Sequence, residues 1–119
     1  MPRQKLQAKD HQDHERSYEG VPLVELVRLA DVPLGKELRG PALANYLVVE
    51  AADGYRAIFA LAELDPAMTD NVVLLVDRQD GQPLDAHDGP LRIVAPQDKR
   101  HARWVRQVTA LRLLTAPRL

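Results

Sequence analysis

The sequence predicts an α+β domain: a mixed β-sheet interrupted by short helices. Two observations predict it. Short runs rich in β-branched and aromatic residues, such as "LANYLVVEAA" and "VVLLVD", recur between turn dipeptides. Helical spacing of apolar residues, in contrast, is confined to brief stretches cut off by proline or glycine. With 119 residues and 45% hydrophobic content, the expected organisation is one domain over residues 1–119.

Each element has its own signal. Lys5 to Lys9 alternate weakly, and the polar "DHQDHERSYEG" (Asp10 to Gly20) returns to Tyr18 as a hairpin. Leu23, Leu26, Val27 and Ala30 fall at helical spacing behind Pro22, which suits a first turn, and Pro33 and Gly35 end the segment. Leu43 to Ala52 reads as a strand, Asp53-Gly54 as a turn and Tyr55 to Ala60 as the hairpin partner. Leu61 to Asn71 offers about one helical turn before Pro66 and a polar loop. The uninterrupted run Val72 to Asp77 reads as a strand buried on both faces. A structured loop follows, with Asp80-Gly81 and Asp88-Gly89 as turns around Pro83, then a strand from Leu91 to Ala95. Beyond Pro96 a short helix is expected around Asp98 to Val105, and Gln107 to Leu114 as a closing strand.

Composition excludes several functions. There are 16 basic and 17 acidic residues, so no global field draws in nucleic acid or an anionic membrane. The aromatics are Tyr18, Tyr46, Tyr55, Phe59 and Trp104, too few for a base-stacking platform. No cysteine is present, which removes disulfides, thiolate nucleophiles and thiolate-held metals. No stretch reaches the ~20 apolar residues that span a bilayer, so the chain reads as soluble with no membrane insertion. Ser17, Thr69 and Thr109 stand in no nucleophile-elbow setting.

The remaining clusters each have two readings. His11 and His14, with Asp10, Asp13 and Glu15, offer metal ligands or a solvated hairpin tip. Asp77, Asp80, Asp85 and Asp88 surround turn glycines without EF-hand spacing, so turn chemistry explains them. Lys99, Arg100, His101, Arg103 and Arg106 follow the proline-terminated strand. The arginines, spaced by three, would share one helix face and bind a phosphate-bearing ligand, or simply face solvent. Trp104 among them reads as core.

"YEGVPLVELV", "AADGYRAIFALAELD", "NVVLLVDRQDGQPLDAHDGPLRIVAP" and "RHARWV" together, and in this order, resemble the oxidoreductase molybdopterin-binding domain of sulfite oxidases and their bacterial relatives, over about Ser17 to Leu113. The resemblance implies that fold and a pterin-dithiolene molybdenum cofactor whose metal is ligated by a protein cysteine. That cysteine would fall near Asp10 or His11, where this chain has none. Arg100 and Arg103 match the family's basic pair near the pterin, and Tyr55 matches the tyrosine of its DGY segment. With His101 beside the pair, these four are the candidate cofactor-binding residues. The opening "MPRQ" resembles a start just inside the leader of small exported members. Two functions stay open: a degenerate, non-catalytic module for molybdopterin, another small anionic ligand or a protein partner, or a molybdenum-pterin oxidoreductase whose missing ligand comes from Asp10, His11, solvent or a partner chain. A purely structural domain with no small ligand is the third reading.

Overall fold

The computed structural model describes residues 1–118. Strands β1 (Gln4–Lys9) and β2 (Glu15–Pro22) form the expected N-terminal hairpin. Its tip is closed by Asp10, whose carboxylate accepts the backbone N–H groups of Gln12 and His14 at 2.9 and 3.0 Å, an aspartate turn of the usual kind. Pro22 then leads into an α-helix, α1 (Leu23–Arg28), which buries Leu23, Val24 and Val27. Two 3-10 turns, Gly35–Glu37 and Gly40–Ala44, carry the chain to the second hairpin. That hairpin is β3 (Asn45–Ala51) and β4 (Arg56–Ala60), joined through Asp53-Gly54 as the sequence indicates. Gly54 holds φ at +89°, a region that glycine enters without steric cost.

Beyond a 3-10 turn at Leu61–Glu63, β5 (Leu74–Gln79) pairs with β2, with the two-residue β6 (Gln82–Pro83) and with β7 (Arg92–Val94). The last strand, β8 (Val108–Thr115), pairs with β3. The result is a five-stranded sheet, β1-β2-β5-β6 with β7 also on β5, and a three-stranded sheet, β4-β3-β8. Tyr18, Val76 and Ile93 of the first sheet, Leu47, Val49 and Phe59 of the second, and Leu23 and Val27 of α1 join one apolar cluster.

Strands and short helices are thus combined as expected, but the balance is strongly towards β. The expected mixed sheet is replaced by pairings that are all antiparallel among the described residues. Parallel neighbours need a long crossover, usually helical, and the only α-helix among the described residues spans six residues. The strand around Val72 to Asp77 is buried on one face more than on both: Leu74 and Val76 are buried while Leu75 is partly exposed. The expected helix over Asp98 to Val105 shrinks to one 3-10 turn, His101–Arg103. Tertiary contacts override its spacing. Val105 O accepts the N–H of Ile93 at 2.8 Å, and Trp104 is drawn into the core edge-on against Tyr18, ring centroids 5.7 Å apart. Arg100, Arg103 and Arg106 therefore share no helix face.

Candidate functional site

The turn between β7 and β8 builds one side of a cleft of about 390 Å³. Trp104 forms its floor, fixed by a bond from its indole N–H to Ala95 O at 3.0 Å. His101 lies flat on that indole, centroids 3.8 Å apart and planes 9° from parallel. Beneath the cleft Arg92 places its guanidinium 5.5 Å from the Trp104 ring, within the range of a cation–π contact. The Asp53-Gly54-Tyr55 turn forms the opposite wall, and the Tyr55 hydroxyl donates to Ala102 O.

Asp88 organises the charges. One of its oxygens meets Arg106 Nε at 2.9 Å and the other Arg92 Nη1 at 3.4 Å. Gln107, at φ +51°, clamps this loop by donating from its side chain to Ala86 O and His87 O and from its backbone to Asp88 O. Arg92 is only 5% exposed, and its Nε has no hydrogen-bond partner among the described residues. Burial pulls its basicity below the usual value, with Asp88 opposing the change. A buried donor left unmade is costly, and this one belongs to a residue that lines the cleft.

A second, wider hollow adjoins the first and shares His11, His101 and Trp104 with it; Lys9, Lys99 and Arg100 are also on its walls. Its carboxylates are each ion-paired, Asp98 with Arg103, Asp10 with Arg16 and Asp13 with Lys9 of the same wall. Lys99 and Arg100 have no carboxylate partner among the described residues. These two are the cations that the hollow leaves unpaired.

Of the four residues singled out by the sequence, Tyr55 and His101 meet in the first cleft and Arg100 joins His101 in the second hollow. Arg103 lines neither. Its guanidinium is closed on Asp98, Glu63 and Ile58 O, over the face of Phe59. Sequence reasoning missed Arg92; it placed Arg106 in the basic cluster and gave Asp88 to turn chemistry, without joining the three. A signal existed for Arg92, a cation between Leu91 and Ile93 in an otherwise apolar strand. The Asp10, His11 and His14 group forms no ligand set, since Asp10 is consumed by the turn and Arg16 and His14 is exposed on the hairpin tip. Asp85, His87 and Asp88 do lie together, but Asp88 is shared by two arginines and Asp85 accepts the Asp88 N–H at 2.9 Å.

The fold and the cleft define a β-rich domain with an aromatic-floored recess lined by paired arginines and by histidines. The chain matches the family described as the oxidoreductase molybdopterin binding domain over residues 3–118 and belongs to it. A search of curated proteins finds no match. Among the described residues no helix is long and apolar enough to cross a membrane. The donor chemistry fits one part of the family's cofactor and not the other. A buried guanidinium with one unpaired N–H, beside a stacked imidazole and indole, suits a planar, anionic organic group. The cleft is lined by three imidazoles, His11, His87 and His101, and one carboxylate, Asp53, and by no soft thiolate of the kind at the family's molybdenum centre.

Proposed function

We propose that residues 1–119 act as one binding domain that holds a planar, anionic small molecule of the pterin class in the cleft, without the family's thiolate-ligated molybdenum chemistry. One observation carries this reading: Arg92, a buried arginine with an unmade hydrogen bond, lines the recess. Arg92 supplies charge and a donor to an anionic edge, and the His101–Trp104 stack supplies a flat surface. Tyr55 fixes the opposite wall through Ala102 O. Arg100 contributes charge at the neighbouring hollow. Arg103 is a positioning residue that holds the His101 turn against Phe59. No electron transfer is assigned to these residues.

The test is binding of 6-carboxypterin by calorimetry, with Trp104, the only tryptophan, as an internal fluorescence probe. Arg92→Met is the key variant, because it keeps the volume of the buried side chain and leaves Asp88 paired with Arg106. The variant is expected to fold as well as the parent and to bind about tenfold more weakly or worse, the scale of a lost charge-assisted bond. Unchanged affinity in Arg92→Met would overturn the assignment. So would stoichiometric molybdenum and dye-reducing activity after expression in a host that makes the cofactor.

A further inference from the structure

Resting on that reading, we propose that His101 makes the cleft a proton-linked anion site, taking up a proton when a doubly charged oxyanion group binds. The geometry supplies the reasons. The imidazole stands on the boundary between the two hollows and lines both. Stacking on Trp104 holds the ring in place, while neither ring nitrogen has a hydrogen-bond partner among the described residues. The proton-accepting atom is therefore fixed at the site and unspent.

The fixed charges around it leave the decision to the imidazole. In the first cleft Arg92 and Arg106 are balanced by Asp88, which they share, and by Asp53 at the rim. From the hairpin tip His11 and Asp10 face the ring, the carboxylate already paired with Arg16. In the second hollow Asp13 is paired with Lys9 and Asp98 with Arg103, which leaves Lys99 and Arg100 as cations. A charge on His101 is thus resisted until an anion arrives. Burial first, then Arg92 and His11, hold its basicity below the ordinary histidine value, with Asp10 opposing. His87 is less suited to this role, because it is largely exposed and already contacts Asp88.

A dianion reverses the balance by favouring the imidazolium, and linkage then requires proton uptake on binding. Affinity for a dianion should be greatest below the pKa of free His101 and should weaken as pH rises through that of the complex. A ligand carrying one negative charge gains less from the same proton.

Sulfate is the probe, because its charge stays fixed across the histidine range. Calorimetry at about pH 5.5 and about pH 7.5, in buffers of different ionisation enthalpy, should show up to one proton taken up and about tenfold tighter binding at the lower pH. The pH dependence should vanish in His101→Gln and persist in His11→Gln. Its persistence in His101→Gln overturns the proposal. In the unaltered protein, sulfate should also raise the pKa of His101 read from its ring carbon resonances, and an unmoved titration overturns the proposal without recourse to a variant. If 6-carboxypterin binds with Arg92 dependence while sulfate binding is independent of pH, only this inference fails. If neither probe binds, the reading of the cleft fails with it.

Discussion

Arg103 is closed on Asp98 by two bonds of 2.9 Å, Nε to one carboxylate oxygen and Nη2 to the other. The same guanidinium lies 4.2 Å from the centroid of Phe59 and reaches Glu63 at 2.9 Å and Ile58 O at 3.0 Å. This arrangement ties the His101 turn to β4. Its flat fork and its stacking are arginine chemistry, which an ammonium does not reproduce. Arg103→Ala should cost about 2 kcal/mol, the range of a charged hydrogen-bond set with moderate exposure. That corresponds to a fall in melting temperature of roughly 10 °C for a domain near this size. Arg103→Lys should recover less than half, and a lysine variant as stable as the parent would show that charge alone suffices.

The sequence carried the hairpins and α1 because their signals are local: alternation, turn dipeptides and a proline at a helix entrance. The segment after Pro96 was misread because its structure is decided elsewhere. Trp104 turns inward against Tyr18, and the Val105 carbonyl is recruited by β7, contacts that no three-residue spacing encodes. The site was legible to the same extent. Tyr55 and His101 sit beside recognisable segments. The engagement of Arg103 and the triangle of Arg92, Asp88 and Arg106 depend on the packing of distant strands.

Gly20 sits where the pairing of β2 with β5 shifts register, between Glu19 and Gly20. A Cβ at this position would stand 2.0 Å from Leu75 O and 2.5 Å from Val76 Cα. Backbone atoms of a central strand cannot retreat as a flexible side chain can. Gly20→Ala should therefore destabilise by about 3 kcal/mol or more, at or beyond the upper end of overpacking costs. Chemical denaturation of the purified variant measures this, and a loss below about 1 kcal/mol would mean that β2 and β5 separate easily.

Tyr18 is fully buried, and its hydroxyl has no hydrogen-bond partner among the described residues. Burial raises its pKa above the usual tyrosine value, with Arg92 opposing. Removing an unpaired hydroxyl while keeping the ring preserves the edge-on contact with Trp104 and relieves the desolvation cost. Tyr18→Phe is expected to be neutral or more stable by about 1 kcal/mol, given the penalty for a buried unmade bond. A loss of more than about 1 kcal/mol on denaturant unfolding would show that the hydroxyl has a partner in solution, such as a buried water.

Asp10 links acidity to the shape of the cleft. The His14 backbone N–H, then Arg16, hold its carboxyl down to about 2, from an ordinary value of 3.8. A lowered carboxylate pKa contributes stability that is present above the unfolded value and is lost as pH falls through the folded one. The window here runs from about 3.8 down to about 2. Across it the hairpin tip should loosen, releasing His11 from the walls of both hollows before the sheets unfold. Amide exchange at Gln12 and His14 should accelerate in this window while that of Val76 and Ile93 stays slow. In Asp10→Asn the tip should already be loose at neutral pH, since the amide keeps an acceptor oxygen but loses the charge that draws in Arg16. Equal exchange rates in the parent and this variant at neutral pH would assign closure of the tip to the β1–β2 ladder rather than to Asp10.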